Sequence, residues 1–354
     1  VSRATSLSRV IQNPIADAEA RESSALLVGA VVFVAGTIPA LFVFWGRDLP
    51  ISGRGSVGEF AAIGSGIAAL LAVLYASLLR SAQQRDTRTW RRLRWFDVAA
   101  ICAAHAVIAL LGWIGLASVF SASFQGAEVY GTSAAVLAGV IMAITAYAAF
   151  LSAINLTPML LSLLLAVFLA VGTLASMLSA SDPLWWKENL STLGINDDIS
   201  ALAFNLTLII AGVMVTTISH YATAWLPTAT QAEARGRYLV RLALILIGIL
   251  LACVGIFTLD EFFAIHGLTA SGMALIYVAM VIALPWLVPS MPRVFVLLGY
   301  VFVGVIVVLA IFYVTGYYTL TAVELIAFVL IFAWLIVFLR TAGSVEPKVE
   351  LNAE

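Results

Sequence analysis

Ten stretches of about 20 consecutive, mostly apolar residues run through this 354-residue chain, at 25–46, 58–79, 97–120, 133–153, 158–179, 200–222, 239–259, 270–288, 294–315 and 322–339. A helix rises ~1.5 Å per residue, so each stretch can cross a hydrocarbon core ~30 Å thick. No water reaches backbone N–H and C=O groups there, and the chain must close those bonds within a helix or a sealed barrel. The ten-residue alternation of a membrane β-barrel is absent. The sequence therefore specifies an all-α, polytopic integral membrane protein with ten transmembrane helices. Composition excludes the pair of soluble domains that length alone suggests. Hydrophobic residues make up 63% and charged residues 10%, whereas a soluble domain carries about 25% charge.

The arginines orient the spans. With a cytoplasmic N-terminus, all but Arg47, Arg54 and Lys187 of the 18 Lys and Arg residues fall on one side. Positive loops are retained in the cytoplasm, so an N-in/C-in topology is expected. The acids do not share the bias, which leaves a negative outer face and a positive inner one. Residues 1–24 are too polar for a signal peptide and read as a cytoplasmic segment. Residues 25–154 read as a four-helix membrane subregion, 155–341 as a six-helix subregion and 342–354 as a cytoplasmic tail. Cys102 and Cys253 lie at depths differing by ~10 Å, too far for a disulfide.

Small residues permit close backbone approach. The alanine-rich third and fourth spans (Ala99, Ala100, Ala103, Ala104; Ala134, Ala135, Ala138, Ala146, Ala148, Ala149) are therefore expected inside the bundle. The tenth span, with Phe328, Phe332, Trp334, Leu335 and Phe338, is bulky and expected to face lipid.

Two outer loops carry the unusual chemistry. The loop between spans 5 and 6 contains Trp185, Trp186, Ser191 and Gly194, followed by Asn205 inside the next span. Indoles suit the headgroup level, Gly194 supplies a turn, and Asp197, Asp198 or Ser200 can cap the sixth helix. A buried amide such as Asn205 must find partners. Span 7 ends in Gly255, Phe257, Asp260 and His266. A carboxylate beside a histidine fixes its tautomer, as general acid–base chemistry or a structural clamp would each require, so an Asp260–His266 contact is expected. His105 lies near mid-membrane and His220 near the inner end of span 6. Glu59 and Glu324, near outer span ends, are expected to reach water. Histidines at three depths, without metal-ligand spacing, predict no metal site. No nucleotide-binding or G-x-S-x-G motif is present, and no cofactor is expected. The inner loop with Arg85, Arg88, Arg91, Arg92 and Arg94 beside Trp90 and Trp95 is a topological anchor suited to anionic lipid headgroups. No recognition domain accompanies it, and nucleic acid is not an expected partner.

The run Trp185-Trp186, Ser191-x-x-Gly194 and Phe204-Asn205 resembles the first outer loop of the DRAM and GPI-remodelling (FRAG-DRAM-SFK) superfamily of six-helix membrane proteins. Gly255, Phe257, Asp260 and His266 are similar to a pattern in its uncharacterised bacterial branch. The resemblance covers roughly 155–340 and leaves spans 1–4 unexplained; the Tyr-Ile-Ser-Asp run of eukaryotic members is missing. It implies that the two outer loops form one site. Eukaryotic members are associated with lipid remodelling, phosphoinositide signalling and autophagy, while most bacterial members lack an assigned activity. The expectation is a lipid-associated, multi-pass protein of a bacterial plasma membrane. Its activity is unassigned, and its outer-leaflet site would take a lipid or small molecule. Membrane lipids and other membrane subunits are the expected partners. Two other readings are a secondary transporter using His105 or Glu59, and a non-enzymatic subunit of a larger membrane complex. No motif recurs between halves as an inverted-repeat transporter would show.

Overall fold

The computed structural model describes residues 14–83, 95–195, 199–224 and 226–343. Among them, ten helices are long and apolar enough to cross a bilayer. They are α1 (Ala18–Phe44), α2 (Val57–Gln83), α3 (Trp95–Ser123), α4 (Gly131–Ile154), α5 (Pro158–Ser179), α6 (Ile199–Ala222), α7 (Gln231–Ile256), α8 (Phe263–Leu287), α9 (Arg293–Val314) and α10 (Leu320–Gly343). The protein is an all-α polytopic membrane protein, as its apolar runs require.

Polar residues mark several helix starts. The Asp17 carboxylate accepts from Ala20 N at 2.8 Å and begins α1. Thr157 caps α5, with Pro158 in the first turn where its missing N–H costs nothing. Thr230 and Glu233 form a reciprocal capping box on α7. Pro39 and Pro285 lie inside α1 and α8, which run on through them.

The chain divides between Leu156 and Thr157 into two compact units. In the first unit, α4 packs against both α1 and α2. Ala134, Ala135, Ala138, Ala146 and Ala149 of α4 are buried, as their small size invites, while Ala148 is exposed. At Gly139 a β-carbon would collide with the Thr37 hydroxyl and sit 3.1 Å from Phe33 O, so this crossing with α1 needs glycine. The third span is less enclosed than its alanines suggested. Helix α3 packs chiefly on α2, and Ala99 is exposed. Its link to α4 is polar: His105 Nε2 meets Ser152 Oγ at 3.0 Å, while Nδ1 donates to Ile101 O at 2.8 Å. His105 is thereby a hydrogen-bonded core residue. Arg21 donates to Asn155 Oδ1 at 3.0 Å and Arg80 to Ala153 O at 2.9 Å, placing two cations at the negative end of the α4 dipole. At the other end a short antiparallel ribbon joins β1 (Asp48–Pro50) to β2 (Glu128–Tyr130), with Leu49 opposite Val129. Glu59 there accepts from Gly55 N at 2.5 Å and remains near water.

In the second unit, α5, α6, α7 and α8 pack in succession; α9 touches α8 and α10, and α10 returns to α5 and α6. The tenth span therefore turns its bulky face inward, leaving Ile326, Val329 and Val337 exposed on the other. Phe332, Leu335 and Phe338 are buried, and Trp334 has no exposed surface. The Trp334 indole stacks on Phe295 and Phe338, at centroid distances of 5.1 and 5.5 Å, and meets Tyr277 edge-on at 5.4 Å. Gly299 on α9 makes the room: a β-carbon there would lie 2.8 Å from Trp334 Nε1. Bulk alone could not identify this face, because lipid tails are as apolar as a packed interior. Both cysteines are free thiols, with Cys102 buried.

Candidate functional site

The expected site residues gather at the end of the second unit where α5 ends and α6 begins. Reciprocal bonds close that junction: Ser176 Oγ donates to Ser200 O at 3.0 Å and Ser200 Oγ to Ser176 O at 2.9 Å. Ser200 thus ties two helices together. Asp197 and Asp198, the other candidate caps, lie outside the described residues.

Between these helices the loop folds through two short 3₁₀ turns, Trp185–Lys187 and Leu190–Gly194. Side-chain oxygens set both turns. Asp182 Oδ1 accepts from Leu184 N at 2.8 Å, and Asn189 Oδ1 accepts from Thr192 N at 3.0 Å. Local acceptors of this kind give short polar loops a defined backbone. Trp185 is half-buried; Trp186 is exposed, with the Lys187 ammonium 5.7 Å from its ring centroid.

Asn205, a few residues into α6, answers its burial by donating from Nδ2 to Gly194 O at 3.0 Å. Two glycines allow this. A β-carbon on Gly194 would lie 2.5 Å from Asn205 Oδ1, and one on Gly255 would lie 2.6 Å from Asn205 O. Gly194, Asn205 and Gly255 therefore form one tight stack that draws the loop onto α6 and α6 onto α7.

The last turn of α7 leaves carbonyls without helical partners. Phe257 caps α7 in an extended conformation, and the chain turns back quickly enough for His266, in the first turn of α8, to reach its carbonyl. His266 Nδ1 donates to Phe257 O at 2.7 Å, and Nε2 lies 2.9 Å from Ser191 Oγ. A carbonyl only accepts, so the proton sits on Nδ1. In the neutral ring, Nε2 is then an acceptor and the Ser191 hydroxyl must be its donor. The imidazole is 5% exposed and Ser191 is half-buried.

The expected Asp260–His266 contact is replaced by this Ser191–His266 contact. Asp260 is exposed, and the Thr258 hydroxyl, with the backbone amides of Asp260 and Glu261, holds its carboxyl below the usual aspartate range. Local donors satisfy the carboxylate, leaving the histidine to a carbonyl and a hydroxyl. Glu324 also departs from expectation. It is half-buried just beyond the first turn of α10, and its Oε2 accepts from Leu190 N at 2.6 Å, beside Ser191. A carboxylate one turn inside an apolar span was the only sequence signal for that role.

The remaining candidates lie elsewhere. Arg85, Arg88, Arg91, Arg92 and Arg94 fall outside the described residues. His220 lies near the opposite end of α6, 3.4 Å from Thr216 O. A small cleft at that opposite end, between Pro227, Arg237 and Pro289, has its charges engaged. Glu233 is held in the capping box, and Arg237 donates to Ala224 O at 3.5 Å. Among the described residues, no group of three or more His, Cys, Asp and Glu side chains is arranged to hold a metal ion. Comparison with protein-family models, curated proteins and solved structures finds no match to this chain.

Proposed function

We propose that the second unit is a lipid-associated module whose α5–α6 end faces the outside of a bacterial plasma membrane and receives lipid headgroups there, with both chain termini cytoplasmic. The observation that carries this reading is the joining of two loops, 180–195 and 257–262, through Ser191 and His266. Around that junction stand Leu184, Trp186, Phe262 and Phe263, all exposed. An indole such as Trp186 suits headgroup level, where one part is apolar and another wet, while Leu184, Phe262 and Phe263 suit the adjoining acyl chains. The resemblance of these loops to lipid-remodelling membrane proteins points the same way.

Charge narrows the ligand. The two loops carry Asp182, Glu188, Asp260 and Glu261 against Lys187. Their repulsion of anions favours a neutral or zwitterionic headgroup. Anionic lipid belongs instead at the arginine-rich inner loop.

The test is native mass spectrometry of protein released from its own membrane in mild detergent. Lipid should remain bound to the wild type, and the double variant Trp186→Ala/Phe263→Ser should retain it roughly fivefold less, the loss that ~1 kcal/mol of contact gives. Equal retention contradicts the site. Orientation is tested in intact cells with an impermeant maleimide, using single cysteines at the exposed Leu184 and Ser290. Labelling at Leu184 alone is expected, and labelling at Ser290 alone inverts the topology.

A further inference from the structure

His266 is held as a catalytic base is held, and its partner is a hydroxyl. Nδ1 is locked to a backbone carbonyl at 2.7 Å, and Nε2 accepts from Ser191 Oγ at 2.9 Å. Fixing one ring nitrogen so that the other presents its lone pair to a serine is the arrangement that activates a hydroxyl nucleophile. Here the orienting group is Phe257 O in place of a carboxylate. The turn bearing Ser191 is itself fixed, by Glu324 through Leu190 N and by Asn189 through Thr192 N. The similar His105–Ser152 pair is enclosed between two helices, whereas Ser191 lies on a half-buried loop turn at a helix end, three residues from the exposed Glu188.

We propose that Ser191 and His266 form a nucleophile–base pair that hydrolyses a carboxylic ester of a neutral or zwitterionic lipid. This deepens the preceding proposal and rests on the same end of the unit facing lipid headgroups. In the first step Ser191 Oγ bonds to the ester carbonyl carbon while its proton moves to His266 Nε2. The ester C–O bond then breaks, and His266 returns that proton to the leaving alkoxide oxygen. This releases an alcohol and leaves an acyl group on Ser191. Water next attacks the acyl carbon, giving one proton to Nε2. The bond to Oγ breaks, Oγ recovers the proton, and a fatty acid departs. No oxidant, metal or further reactant is required. Phe257 O positions the ring without touching substrate. Ester bonds of bilayer lipids lie just beneath their headgroups, level with side chains such as Trp186.

The experiment treats the full-length protein, in nanodiscs of phosphatidylcholine, with an alkyl fluorophosphonate and locates the adduct by peptide mass spectrometry. A phosphonylated Ser191 is expected in the wild type. His266→Gln should slow its formation at least about 100-fold, the lower range for loss of a general base. Circular dichroism and gel filtration check that this variant is folded. An unmodified Ser191 in folded wild type overturns the proposal, as does an unchanged rate in folded His266→Gln. Wild-type labelling decides the nucleophile even if the histidine variant misfolds. Retained lipid with no adduct removes the chemistry and leaves the lipid site standing. An adduct with no lipid retention does the reverse.

Discussion

Replacing Trp334 by alanine is expected to destabilise the second unit by about 3–5 kcal/mol, the cost of removing a fully buried aromatic side chain. The indole has no exposed surface and packs against Phe295, Phe338 and Tyr277. Helices in a bilayer gain little from hydrophobic transfer to one another, so packing carries their association. Removing the indole forfeits dispersion contacts on three sides and leaves a void that the surrounding helices fill only in part. Trp334→Phe keeps much of that contact and should cost clearly less. Thermal or denaturant unfolding in one detergent measures both. A loss within ~0.5 kcal/mol, as expected of an outward-facing substitution, would return Trp334 to the lipid.

Gly248→Val should be the other severe change, near the upper end of the ~1–3 kcal/mol that overpacking costs. A β-carbon at Gly248 would lie 2.6 Å from Gly212 O and collide with the Thr216 hydroxyl. The mirror contact is as tight: at Gly212 it would collide with Gly248 O and sit 2.7 Å from Ala252 N. Much of the obstacle is backbone, so no change of rotamer relieves it and α6 must move from α7. Gly248→Val/Thr216→Ala removes the hydroxyl while leaving the backbone obstruction, and should recover part of the loss. Full wild-type stability in Gly248→Val would show that the helices do not cross here. Because the same pair meets again at Asn205 and Gly255, lipid retention at the loop end should fall with stability.

The ten spans were legible because the solvent dictates them: an apolar run in a bilayer has one secondary structure open to it. The same solvent hides which face of a span turns inward. A soluble helix shows a polar stripe, whereas α10 is apolar all round and its sequence cannot distinguish Trp334 packed from Trp334 in lipid. Residues of the site were legible one by one, through polarity in apolar surroundings; Asn205 and His266 stand out for that reason. Their partners were not. Asp260 is near His266 in sequence and its carboxylate could accept from an imidazole N–H, which made it the natural choice. The actual partner, Ser191, stood among the candidate residues of the first outer loop, but it is 75 positions away and nothing in the sequence pairs it with His266 until the fold brings it over. Phe257 contributes its carbonyl, which no side-chain pattern encodes. Glu324 was visible as a charge near a span end, where water was the simpler partner, and only the packing of α10 beside the loop brings it to Leu190 N.

The joining of the two loops through one hydrogen bond is tested most directly by a double-mutant cycle on Ser191→Ala and His266→Gln, read as unfolding free energy in a single detergent. A parallel cycle on Asp260→Asn and His266→Gln serves as reference. Residues in contact lose less together than the sum of their separate losses. The Ser191–His266 cycle should show coupling of about 1 kcal/mol, the net worth of one such hydrogen bond. The Asp260–His266 cycle should be additive, because Asp260 takes its bonds from Thr258 and the local backbone. Additivity for Ser191 together with coupling for Asp260 would contradict the account, giving the histidine to the carboxylate and parting the two loops.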